Sequence, residues 1–129
     1  MDLHEMNVDR LAASIETAGL GPATSVEVIT IRGTEVIKVD LDGTSTSKAT
    51  TVLRWLDLIT VWDMVAGKFR ASDTTLRLNI RGQFPSGGPV VVVVPFDERT
   101  EAEQVALIND SVERVEPVVL VNQLVTLEA

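Results

Sequence analysis

Apolar and polar residues follow two different patterns along the first third of the chain. Within residues 8–18 the apolar positions recur at helical spacing, which predicts a first helix. Residues 25–32 and 35–42 are instead rich in β-branched side chains and flank Gly33-Thr34. Because glycine readily takes the positive φ of a tight turn, this pattern predicts a hairpin with those two residues as its loop.

The predicted hairpin has two unequal faces. A Gly33-Thr34 loop places Val28 opposite Val39 and Val26 opposite Leu41, so one face is almost wholly apolar. The other face carries a mixed set of side chains: Ile29, Ile31, Val36, Glu27, Lys38 and Asp40. That set is too apolar for a bare solvent face, and we predict that something covers part of it.

A second helix is predicted from about Ser47 to Ala66. Its apolar residues share one arc of a 3.6-residue wheel, and Gly67 follows the last of them. Trp55 and Trp62 both lie on that arc. They either pack in the core or anchor an interface, since tryptophan is enriched among the residues that dominate binding energy.

The second half of the chain predicts further strands and another helix. Residues 75–81 alternate strictly, with Leu76, Leu78 and Ile80 pointing inward, and Arg77, Asn79 and Arg81 pointing outward. The apolar run 90–96 predicts a central strand covered on both sides. A third helix follows from Asp97 and ends at Pro117, and residues 118–127 predict a last strand.

These elements define an expected fold. Ile31-Arg32-Gly33 and Ile80-Arg81-Gly82 suggest a repeated unit, and the element order becomes α-ββα-ββα-β. We predict that residues 1–129 form a single α+β domain, with helices packed on a mainly antiparallel or mixed five-stranded sheet.

Composition narrows the classes of function. The 129-residue chain has a formal net charge of -8, which disfavours nucleic acid and anionic membrane surfaces as partners. Cysteine is absent and histidine occurs once, so thiol catalysis, thiolate metal sites and multi-histidine sites are excluded within one chain. We expect a cytoplasmic protein with no cofactor and no bound metal.

One segment suggests chemistry. Val39-Asp40-Leu41-Asp42-Gly43-Thr44 resembles the first motif of the haloacid dehalogenase-type phosphotransferases. The resemblance implies Asp40 as a nucleophile and Asp42 as an acid and base, with both helping to hold magnesium. Alternatively, Asp40 is an outward strand residue, and Asp42-Gly43 forms a turn before a capped helix.

The remaining residues of interest are those predicted to lie on the surface of the protein. We predict a non-enzymatic protein interaction module that self-associates as a homodimer or higher homo-oligomer. Its predicted interface residues are Trp55, Trp62, Ile29, Ile31, Val36, Lys38, Arg77, Asn79 and Arg81. The alternatives are a magnesium-dependent phosphotransferase using Asp40 and Asp42, and a carrier of a small apolar ligand held between helix and sheet.

Overall fold

A computed structural model describes the backbone of residues 3–128 and the side chains of residues 8–128. Four helices and five strands alternate unevenly along this part of the chain. The helices are α1 (Leu3–Thr17), α2 (Lys48–Leu58), α3 (Ala102–Ser111) and α4 (Pro117–Glu128). The strands are β1 (Ala23–Ile31), β2 (Thr34–Leu41), β3 (Thr60–Gly67), β4 (Thr75–Gln83) and β5 (Pro89–Asp97).

The strands form one mixed sheet in the order β1-β2-β5-β4-β3. The central pair, β2 and β5, runs parallel, and the other three pairs are antiparallel. The predicted α+β class and mixed five-stranded sheet are confirmed, and the apolar run of β5 is the central strand, as predicted. The element order differs, because β3 intervenes between α2 and β4 and the chain's last described element is a helix.

The β1–β2 hairpin forms with a different loop from the predicted one. Arg32 and Gly33 have φ values of 51° and 80°, the two positive angles that a type I′ turn requires. The register therefore places Val28 opposite Ile37 rather than opposite Val39. A shift of two residues leaves every side chain on its predicted face, because side chains in a strand alternate with a period of two.

The predicted helix 47–66 is wrong beyond Leu58. Ile59 is extended, and the chain continues as the edge strand β3. A bulge at Trp62 resets the alternation, so that Val61 and Met64 are paired on the same side as Gly82 and Ile80 of β4. Two inward residues three positions apart imitate helical spacing, which explains the incorrect prediction.

The predicted final strand 118–127 is also wrong, since this segment is α4. Pro117 begins the helix instead of ending the preceding one, a position where its missing N–H is not needed. Leu120, Val121 and Leu124 form the buried stripe of α4. Near its end, the Glu128 carboxylate accepts hydrogen bonds from the Ala49 N–H (2.5 Å) and the Thr50 hydroxyl (2.8 Å), and so caps α2.

All four helices contribute to one core against one face of the sheet. The cluster joins Ile15 of α1, the buried stripes of α2, α3 and α4, and the inward residues of the strands. Trp55 lies at its centre with no exposed surface, and its indole N–H donates to the Leu20 carbonyl at 2.8 Å. We call this side of the sheet the covered face.

Candidate functional site

The other side of the sheet, which we call the open face, contributes no residue to that core cluster. Strand alternation and register place one set of side chains on it from all five strands. They include Ser25, Glu27, Ile29 and Ile31 of β1; Thr34, Val36, Lys38 and Asp40 of β2; Val91, Val93 and Pro95 of β5; Arg77, Asn79 and Arg81 of β4; and Trp62, Asp63, Val65 and Gly67 of β3.

A groove of about 660 Å³ runs along the open face. The short side chains of Val91 and Val93 on the central strand form its floor. Larger apolar side chains rise at its two edges, from Ile29 and Ile31 on β1 and from Trp62 on β3. The lining is therefore mainly apolar, although the groove is open to solvent.

Trp62 is the largest exposed apolar group on this face. The β3 bulge lies between Val61 and Asp63, and it frees the Trp62 side chain from the regular pairing with β4. The indole is 58% exposed, and Val65 on the same strand is 46% exposed. Both side chains line the groove, and exposed apolar patches occur at protein interfaces and in ligand-binding grooves.

The charged groups of the open face pair with one another. Lys38 Nζ lies 3.4 Å from Asp40 and 3.6 Å from Glu27. Arg81 donates two hydrogen bonds to Asp63, at 2.6 Å and 2.5 Å. The hydrogen bond from Arg81 lowers the pKa of the Asp63 carboxyl below its usual value, and the same contact raises the pKa of Arg81.

The structure brings most of the predicted interface residues together. Seven of them line the one groove: Ile29, Ile31, Val36, Lys38, Trp62, Asn79 and Arg81. Arg77 shares the open face but stacks on the Phe69 ring, 4.0 Å from its centroid. Trp55 lies in the core instead, which corresponds to the other role considered for it.

Eight groove residues escaped the sequence prediction, and four of them are informative: Asp63, Val65, Val91 and Val93. The first two were assigned to a helix, although Thr60 and Val61 are β-branched and favour a strand. The two valines were expected to be covered by another layer. Both are buried, but by neighbouring side chains of the sheet rather than by a helix in the described chain.

The aspartates of the phosphotransferase resemblance have different partners. Asp40 accepts a hydrogen bond from the Ser25 hydroxyl at 2.8 Å and lies beside Lys38. Asp42 follows β2 and accepts from the Thr44 hydroxyl (2.7 Å) and backbone N–H (2.9 Å), which lowers the pKa of its carboxyl. The Asp42 contacts are those of an Asx turn.

A second cavity, of about 440 Å³, lies where β2 and β5 end. Lys48, almost fully buried, contacts three of its lining residues: it donates to the carbonyls of Gly43 (3.0 Å) and Pro95 (2.7 Å) and to Glu101 (2.6 Å). The Lys48 ammonium group is therefore fully engaged in linking the ends of the two strands. Within residues 8–128, no three His, Cys, Asp or Glu side chains form a group that could hold a metal ion.

Neither protein families, nor curated proteins, nor solved structures offer a match to this chain. None of the helices between residues 3 and 128 is long and apolar enough to cross a membrane. The case for a function therefore depends on the geometry of the open face.

Proposed function

We propose that this protein is a non-enzymatic interaction module that self-associates through the open face of its sheet. The observation that carries the proposal is the apolar groove edged by Trp62, on a sheet face that no helix within residues 8–128 packs against. Burying apolar surface contributes roughly 25 cal/mol per Å², so an apolar groove of this kind favours a partner.

The size of the open face suits a second copy of the chain. Five strands about 4.8 Å apart and about eight residues long give a flat footprint of roughly 600 Å². The accessible area of such a face exceeds its footprint, and a standard interface buries about 800 Å² per partner. Two sheets packed face to face at about 10 Å would fill the space between them with the side chains of both.

Charge also favours a second copy. The whole chain has a net charge of -8, so two copies repel when they approach through most of their surface. The open face is nearly balanced: Lys38, Arg77 and Arg81 accompany Glu27, Asp40 and Asp63. Asp97 at the end of β5 and Arg32 in the hairpin turn add one further charge of each sign. A like copy can therefore dock on this face with little net repulsion.

The test is the oligomeric state of the purified protein and of matched serine variants, measured by analytical ultracentrifugation over a concentration series. We expect the wild type to dimerise, and Trp62→Ser and Val65→Ser to weaken the dimer. Val118→Ser is the control, because Val118 is 49% exposed on α4 while Val65 is 46% exposed on the open face. A strictly monomeric wild type, or a dimer that only Val118→Ser disrupts, would refute the proposal.

The two alternatives have less support. The cavity that Ala49, Phe96 and Leu124 help to line also carries the charged groups of Lys48, Glu101 and Glu128, and it measures about 220 Å³. Small-molecule sites are mainly apolar and measure roughly 300–1,000 Å³. Phosphotransfer would require Asp40, which Ser25 and Lys38 already engage, to attack phosphorus. A phosphatase assay in which Asp40→Asn abolishes turnover would favour that chemistry instead.

A further inference from the structure

The open face has an internal charge pattern that restricts how two copies can meet. Neighbouring residues across the five strands form rows, and two adjacent rows matter here. The charged row is Glu27, Lys38, Val91, Arg81 and Asp63. The polar row, one step along the strands, is Ser25, Asp40, Val93, Asn79 and Val65.

A two-fold axis parallel to the strands and passing through β5 brings like charges together. Such an axis leaves each row facing itself and exchanges β2 with β4 and β1 with β3. Lys38 then faces Arg81 of the second copy, because both are register partners of Val91. Like charges placed opposite one another in an interface oppose this arrangement.

A two-fold axis that lies in the plane of the interface and runs perpendicular to the strands brings opposite charges together. When it lies midway between the two rows, each strand faces its own copy and the charged row faces the polar row. Lys38 then meets Asp40 of the second copy, and Asp40 meets its Lys38. Arg81 meets Asn79, whose side chain can accept a hydrogen bond, and Val91 meets Val93.

Side-chain size agrees with the perpendicular axis. Trp62 stands beyond the charged row on β3, and Gly67 lies beyond the polar row on the same strand. A Cβ added at Gly67 would meet no atom within 4 Å. The axis therefore brings the Trp62 indole of each copy close to the open space around Gly67 of the other copy.

We infer that two copies pack face to face about an axis perpendicular to the strands, with reciprocal Lys38–Asp40 ion pairs across the interface. This inference rests on the proposed function and adds the arrangement of the partner. Within each copy the same two residues are already neighbours, so the dimer joins two pairs into a four-charge cluster one strand away from its centre.

The experiment mixes two charge variants. Lys38→Asp makes both positions acidic, and Asp40→Lys makes both basic. Each variant alone should dimerise more than about tenfold more weakly than the wild type, because like charges meet across the axis. An equimolar mixture should form a heterodimer with a dissociation constant within about threefold of the wild-type value, since each acid again meets a base.

The control pair is Arg114→Asp and Asp110→Lys, which changes the net charge identically on an exposed ion pair beyond the sheet. Neither control should move the dissociation constant beyond about twofold. Circular dichroism melts show whether the variants fold. Should the charge reversals unfold, Lys38→Gln serves instead, and it should weaken the dimer severalfold.

The outcomes separate the two claims. A monomeric wild type overturns both the proposed function and this arrangement. A wild-type dimer that depends on Trp62 and Val65, with a mixture that fails to recover, overturns the arrangement alone. A tighter homodimer of Lys38→Asp or Lys38→Gln would indicate the parallel axis, where Lys38 faces Arg81, and would also overturn it. A wild type that stays monomeric yet retains another protein through Trp62 would identify a different occupant.

Discussion

The two faces of the sheet are built from alternate residues of the same strands, yet they meet different surroundings. On the covered face, Leu78, Ile80 and Val92 are fully buried beneath the helices. On the open face, Lys38 and Arg81 pair with carboxylates, and the Trp62 side chain is exposed on the same face. One strand therefore places one set of alternate residues in the core and leaves the other set on the open face, because alternate side chains point to opposite sides of the sheet.

The tryptophans make the sharpest test of this division. Trp55→Ala should lower the free energy of unfolding by about 3–5 kcal/mol, since it leaves a large cavity in the core and orphans the Leu20 carbonyl. Trp62→Ala should change it by less than about 0.5 kcal/mol in the monomer while weakening self-association. Urea unfolding monitored by circular dichroism measures the first effect and sedimentation the second. Equal losses of stability in both variants would contradict the division.

Two glycines on β4 and β3 provide a matched pair for backbone packing. A Cβ at Gly82, on the covered face, would lie 2.2 Å from the Thr60 carbonyl oxygen, whereas Gly67, on the open face, has free space. Gly82→Ala should therefore destabilise the fold by about 1–3 kcal/mol by pushing β3 away from β4. Gly67→Ala should stay within about 0.5 kcal/mol of the wild type. Thermal melts compare the two variants. A Gly82→Ala variant as stable as the wild type would contradict the close approach of the Thr60 carbonyl to residue 82.

The smallest expected effect concerns the ion pair between Arg81 and Asp63. The folded protein lowers the pKa of Asp63 from 3.8, so the stabilisation is present above that value and is lost as pH falls through the lower folded pKa. Both side chains are about half exposed, so the gain at neutral pH should be no more than about 0.5 kcal/mol. The difference in stability between wild type and Asp63→Asn should narrow as the solution is acidified below that pKa.

Side-chain carboxyl shifts followed by NMR measure this titration directly. The Asp63 midpoint should lie below 3.8 in the wild type and return towards 3.8 in Arg81→Gln, where the principal donor is lost. An unchanged midpoint in Arg81→Gln would mean that a group other than Arg81 lowers the pKa of Asp63.

The sequence predicted the strands with strict alternation well. Leu76, Leu78 and Ile80 face inward as expected, because a period of two over seven residues has no helical counterpart. The hairpin kept its face assignment even though its loop was misplaced, since the register error was an even number of residues. Seven of nine predicted interface residues therefore meet in one groove.

The errors share a physical origin. At Trp62 a bulge gives a strand the spacing of a helix, and in α4 a valine-rich segment is helical despite its strand-like composition. Periodicity and propensity describe local preference, while tertiary contacts decide between close alternatives. The β2–β5 pairing joins residues about fifty positions apart, and no local pattern specifies it.

The cap that Glu128 provides for α2 has a consequence for biosynthesis. The carboxylate reaches back 79 positions to the Ala49 N–H, so the first turn of α2 gains this partner only after residue 128 has left the ribosome. The hairpin and α2 emerge from the ribosome much earlier, and until then the first N–H groups of α2 lack this partner. A nascent chain stalled before α4 should therefore expose the α2 amides to solvent exchange, and release of α4 should protect them.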